Sequence, residues 1–192
     1  AATLYGTTGM VQIHRAGYLK NVLSNPLDLA FADSPELRAK ILSAPHVKSL
    51  SPRLQFSGSI SATETVAESN AQVASEPKTT FLSANAVDPA LDREVMPQLY
   101  EWVIAGQVFP ASNSPALIVH RDIAGPLGID DVRRNLNQPQ EQWPVVLAPD
   151  KDGALSGEAF QITGLLGSAV PTDKRLALAP LASVQKLLKM EN

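Results

Sequence analysis

Cysteine is missing from the whole 192-residue sequence, which excludes a disulfide framework and any thiol site. Aromatic residues are scarce at 5%, and charged residues reach only 18% against roughly 25% in an average globular chain. Ala, Leu, Val and Ile must therefore build the interior, and a chain of this length can bury a core without staples. Neither sign of charge dominates: 16 Lys and Arg face 19 Asp and Glu, for a net charge of -3. With no basic cluster, nucleic acid and anionic membrane surfaces are poor partners. A long apolar run is also missing. The longest uncharged stretch, between Glu101 and Arg121, is broken by Gln107, Pro110, Ser112, Asn113 and Pro115, whereas a membrane span takes ~20 mostly apolar residues. No repeat period shows. The sequence starts Ala1-Ala2-Thr3, without Met or a basic leader, and the expectation is a chain processed or excised from a longer protein.

What is present is an alternation of short strand-like and helix-like pieces. Met10 to His14 alternates apolar and polar residues between Gly9 and Gly17 and predicts a half-buried strand. Ser34-Pro35-Glu36 is a helix start, with a capping hydroxyl, a first-turn proline and an acid suited to the dipole. Pro45 stops that helix, and Val47 to Leu54 continues extended. Phe56 to Ile60 and Thr80 to Val87 predict a hairpin around a polar loop. Asp88-Pro89 starts a second helix running through Trp102 and Val103 to Gly106, split in two by Pro97. Ala116 to Val119 is a short buried strand, and Ile123 to Leu127 a short helix released by Gly128. Asp130 to Trp143 reads as a polar surface loop. Pro144 to Ala148 and Ala159 to Leu166 predict a second hairpin around Asp152-Gly153. Leu176 to Leu181 is a last strand, and Ala182 to Met190 a last helix with Val184, Leu187 and Leu188 on one stripe.

The fragments of catalytic motifs do not complete. His120-Arg121-Asp122 matches the protein-kinase catalytic tripeptide, but Leu127 occupies the position of the magnesium-binding Asn, so a strand end followed by a helix start is the better reading. His14, His46 and His120 are the three histidines, and none has a second ligand at metal spacing. Asp150-Lys151-Asp152-Gly153 opens like a calcium loop, yet its Gly comes early and no Glu closes it, so it reads as a hairpin turn. Gly164-Leu165-Leu166-Gly167 lacks the helix N-terminus and Lys of a phosphate cradle. Asp88, Asp92 and Glu94 are near one another, but capping and dipole effects explain acids at a helix start. No catalytic, cofactor-binding or metal-binding residue is assigned, and no cofactor is implied.

The order of several segments carries more than any single motif. "GMVQIHRAGYL" from Gly9, "SAPHVKSLSPRLQFSGSI" from Ser43, "NAVDP" from Asn85, "LYEWVIAGQVF" from Leu99, "ALIVHRDIAGPLGID" from Ala116 and the ending from Ala148 to Met190 follow one another across nearly the whole chain. Together they resemble the MacB-like periplasmic core domain of ABC-transporter permeases, the family that includes the macrolide-exporter and lipoprotein-releasing permeases. Two departures from that pattern are Ala86, where the family usually has Gly, and Asp130 to Arg134, where it has a Gly-Asp pair.

The resemblance implies an α+β, mixed α/β fold in one domain, 1-192, with two subdomains. These are a membrane-proximal βαβ-type part from 1-82 plus 160-192 and an inserted, β-rich part at 83-159. It implies flanking transmembrane helices outside this chain and a location on the periplasmic, extracytoplasmic face of the bacterial inner membrane. The partners implied are a cytoplasmic ATPase subunit, a second permease copy and a periplasmic adaptor or chaperone, with no nucleic acid. The role implied is non-enzymatic: relaying ATPase-driven motion or engaging cargo during export or lipoprotein release. The strands and final helix of the closing stretch from Phe160 are then expected to pair back with Met10 to His14 and Val47 to Leu54. The alternative is a stand-alone secreted module binding a peptide or small ligand, which the same composition permits.

Overall fold

A computed structural model describes residues 11–21, 26–63, 65–68, 71–74, 76–109, 113–167 and 174–191. Strands β1 (Arg53–Ala62) and β4 (Lys78–Val87) form a ten-residue antiparallel ladder from Arg53 opposite Val87 to Ala62 opposite Lys78. The chain between them makes a small antiparallel pair, β2 (Thr65–Glu68) with β3 (Ala71–Ala74). The expected polar loop is thus hydrogen-bonded strand over much of its length. The remaining strands are β5 (Val103–Gly106), β6 (Ala116–His120), β7 (Val145–Pro149), β8 (Leu155–Ala159), β9 (Gln161–Leu166) and β10 (Leu176–Pro180). Eight strands make one mixed sheet in the order β5-β9-β6-β10-β4-β1-β7-β8. β6 runs parallel to β9 and β10 parallel to β4, and the other neighbours are antiparallel. The fold is mixed α/β.

The strand sequences explain their places. Ala116–His120 and Leu176–Pro180 are buried at every position, as continuous apolar runs must be when both faces of a strand are covered. Successive residues serve two cores. Leu117, Val119, Ala177 and Ala179 face one cluster with Ile123, Leu127, Val184 and Leu187. Ala116, Ile118, Leu176 and Leu178 face the other with Met96 and Leu99. The first face is covered by α4 (Arg121–Leu127), α5 (Val132–Asn137) and α6 (Leu181–Leu187). The second is covered by α2 (Pro89–Val95) and α3 (Pro97–Glu101). β7 instead alternates exposed and buried residues, the pattern of a strand with one wet face.

Several helix signals hold. Ser34 caps α1 (Pro35–Leu42) by accepting from the Leu37 amide at 3.2 Å. Asp88 caps α2 through the Ala90 and Leu91 amides at 3.1 and 3.3 Å, and the second helix does break at Pro97. Gly128 takes the left-handed φ of 68° that ends α4.

Other expectations are corrected. Met10 lies outside the described residues, and Val11 to His14 is not a strand: Val11 and Ile13 are exposed because no ladder receives them. Val103 to Gly106 leaves the helix and pairs with β9 as an edge strand. The expected loop from Asp130 to Trp143 contains α5, capped by Asp131 and burying Val132 and Asn135, with a 3-10 turn at Gln140–Gln142. In the second hairpin β7 pairs with Leu155–Ala159, not with the run ending at Leu166, which crosses to β5 and β6 as β9. The closing strands do not pair back as expected: β10 pairs with β4 and β6, and β9 with β5 and β6, not with Val11 to His14 or with Val47 to Leu54.

Candidate functional site

Two charged clusters tie distant parts of the chain, and neither was assigned a role from the sequence. The first centres on Asp92 in α2, which has no solvent exposure. Its Oδ1 accepts from Arg53 Nε at 2.7 Å and Ser51 Oγ at 3.2 Å, and pairs with the second guanidinium arm of Arg53 at 2.6 Å. Its Oδ2 accepts from the Tyr100 hydroxyl at 2.9 Å. Arg93 lies 5.4 Å from the centre of the Tyr100 ring. Burial first, and then the Asp92 carboxylate, hold the Tyr100 phenol far above its ordinary range, so it stays a donor. With both oxygens engaged, this carboxylate is a clamp between the start of β1, α2 and α3 rather than a general base. Asp88, Asp92 and Glu94 do not converge: Asp88 caps the helix while Asp92 turns to Arg53.

The second cluster joins the β7–β8 turn to the end of α6. Asp150 is 3% exposed. Its Oδ1 accepts from the Asp152 and Ala154 amides at 3.0 and 2.9 Å, and its Oδ2 from Lys189 Nζ at 2.6 Å. The Leu188 carbonyl, left free by the helix end, accepts from the Lys151 amide at 3.1 Å. The Lys189 and Met190 amides close α6 by donating to the carbonyls of Lys186 and Gln185 at 3.2 and 2.7 Å, the paired hydrogen bonds of a Schellman ending. That ending puts Lys189 at φ 54°, a left-handed position that glycine usually fills. A lysine held there is aimed at Asp150. Lys186 adds an ion pair with Glu158 of β8 at 2.6 Å.

Protonation of this tie works from both sides. The Lys189 hydrogen bond holds the Asp150 carboxyl below its ordinary value, against the opposing effect of burial and with help from the Ala154 and Asp152 amides. Asp150 therefore contributes stability that is complete above the usual carboxylate range near ~3.9 and is lost as pH falls through its lowered folded value. Lys189 is raised by the same bond, so its contribution is complete below the unfolded range near ~10.4 and is lost as pH rises through the raised value. Asp150→Asn should accordingly lower the urea midpoint most near neutrality, with the difference from wild type shrinking at acid pH. Lys189→Ala should unfold at lower urea than Lys189→Gly, because both lose the ion pair and only glycine relieves the left-handed backbone.

The histidines and motif fragments are placed apart. His120 is 1% exposed at the end of β6, and its Nδ1 accepts from the Asp122 amide at 3.2 Å, so the tripeptide is a strand end and helix start. His14 stacks on Tyr18 at 3.9 Å. Among the described residues no group of three His, Asp or Glu is placed to hold a metal, and no helix is long and apolar enough to cross a membrane. The Asp150 to Gly153 stretch is a hairpin turn with Gly153 at φ 78°.

No protein-family model matches this sequence, and no curated protein matches it. Among solved structures the chain is similar to the extracellular domain of the noncanonic ABC-type transporter YknZ from Gram-positive bacteria. The identity is 14% and the TM-score 0.46, over 80% of this chain and 65% of that one. This chain thus spans just under two thirds of that structure's length.

Proposed function

We propose that this chain is the periplasmic, extracytoplasmic domain of an ABC-transporter permease of the MacB-like kind, a non-catalytic element that relays the motion of a cytoplasmic ATPase. The observation that carries the reading is the ordered run of segments from "GMVQIHRAGYL" to the closing "LAPLASVQKLLKM". What supports a relay in particular is the bonding of Leu188 and Lys189. These residues leave α6, which follows directly on the doubly buried strand β10, and they are bonded to the β7–β8 turn. A pull on this end reaches a central strand and an edge hairpin together, because packed interiors transmit strain rather than absorb it. In this reading the domain engages cargo, a second permease copy, or a periplasmic adaptor or chaperone during export or lipoprotein release.

The test uses the parent permease reconstituted with its ATPase in vesicles. Lys189→Ala is expected to leave ATP hydrolysis unchanged while lowering cargo movement per ATP hydrolysed. Cargo movement at the wild-type ratio would overturn the relay.

A further inference from the structure

The two edges of the sheet are built differently. β5 is four residues long and its register with β9 shifts between Val103 and Ala105, two of the devices by which natural sheets blunt an edge. β8 at the other edge has neither: its ladder with β7 is unbroken over Leu155–Ala159, and the strand contains no Pro, Lys or Arg.

Two backbone hydrogen bonds at the ends of the hairpin fix which way its amides and carbonyls point. Asp150 donates to the Ala154 carbonyl at 2.8 Å and Phe160 to the Pro144 carbonyl at 2.9 Å. Antiparallel bonding alternates, so Ser156 and Glu158 bond to β7, and the amides and carbonyls of Leu155, Gly157 and Ala159 point outward. None of these three has a hydrogen-bond partner among the described residues.

Their side chains lie on the wet face with Val145 and Leu147. Leu155 is 70% exposed and Val145 38%. A Cβ at Gly157 would sit 2.6 Å from Leu147 Cδ2, so the Leu147 side chain lies over that glycine. Among the described residues the edge is an uncharged apolar strip with unpaired backbone groups, and the only charge on β8, Glu158, lies on the other face paired with Lys186.

We infer that β8 is a self-pairing edge that joins two copies of this chain in an antiparallel, twofold-symmetric continuation of the sheet. The strand is complementary to its own reverse. With Gly157 on the twofold axis, Leu155 falls opposite Ala159 of the second copy and Ala159 opposite its Leu155. All three outward residues then exchange main-chain bonds, and no like charges lie directly opposite. The two Leu147 side chains, each over an axial glycine, extend one apolar strip across the junction. An isologous contact of this kind closes at two copies. The inference does not rest on the transporter reading.

Sedimentation velocity on the wild-type chain over roughly a hundredfold concentration range is expected to show a reversible monomer–dimer equilibrium. Amide exchange at Leu155, Gly157 and Ala159 should slow as the dimer fills. Leu155→Lys with Ala159→Lys sets two like-charge pairs across the junction and should weaken the dimer by about tenfold, whereas Leu155→Lys with Ala159→Glu sets two opposite-charge pairs and should retain it. A wild-type chain that stays monomeric, a dimer that leaves those three amides unprotected, or the two double variants dimerising alike would each overturn the inference. The exchange measurement needs only the wild-type chain, so it decides the matter even where a variant fails to fold.

Discussion

Asp92→Ala is expected to cost about 3–5 kcal/mol of folding stability, the range for removing one partner of a buried ion pair. The physical reason is what the mutation leaves behind. Arg53, whose side chain is 17% exposed, would keep its charge after losing the Asp92 carboxylate, and the Tyr100 hydroxyl would lose its acceptor inside the same cluster. A domain of this size has a total stability of about 5–15 kcal/mol, so the variant should be marginal. Asp92→Asn keeps acceptor oxygen without charge and should fall between the two. Asp92→Leu combined with Arg53→Met should recover much of the loss, since an apolar pair avoids the desolvation that the ions undergo. Urea unfolding of the four proteins checks the set. An Asp92→Ala midpoint equal to wild type, or a double variant no better than the single one, would contradict the clamp.

Gly106→Ala is expected to be nearly as damaging, for a different reason. Gly106 has φ 79°, and a Cβ there would lie 2.8 Å from both Gly164 Cα and Val132 Cγ1, with the Thr163 carbonyl oxygen closer still. The left-handed backbone costs about 1–2 kcal/mol for a residue with a Cβ, and overpacking against fixed backbone adds about 1–3 kcal/mol. Gly153 separates the two causes. Its φ is 78°, and nothing lies within 4 Å of its notional Cβ. Gly153→Ala should therefore show the backbone part alone. The excess of Gly106→Ala over Gly153→Ala measures how tightly β5 sits on β9, and faster amide exchange at Gly164 and Leu165 should accompany it. Equal losses at the two glycines would mean that the β5–β9 contact relaxes freely.

The readable parts of this fold are those whose signal is local. Ser34-Pro35, Asp88-Pro89 and Gly128 mark helix ends by chemistry acting within a few residues. The apolar run Ala116 to Val119 declares a doubly buried strand by itself, and His120 extends it by one residue. The misread parts depend on distant partners. Val103–Gly106 continues an apolar helical spacing and becomes a strand only because β9 offers it an edge. Val11 and Ile13 alternate like a strand, but no edge receives them. In α5 a polar surface conceals Val132 and Asn135, which one short turn directs inward. Neither charged tie was legible. Arg53 and Asp92 lie 39 residues apart, as do Asp150 and Lys189, and each residue alone reads as a surface charge, a cap or a turn. Lys189 in particular looks like the last basic residue of a helix, and its left-handed backbone appears only in three dimensions.

Whether this chain is the periplasmic domain of a transporter permease is decided by reading the gene on both sides of the segment Ala1 to Asn192. A permease gene is expected to show an apolar span of ~20 residues upstream of Ala1, further spans downstream of Asn192, and a neighbouring gene for an ATPase. A frame holding only a cleavable signal peptide before Ala1 and a stop codon directly after Asn192 would contradict it.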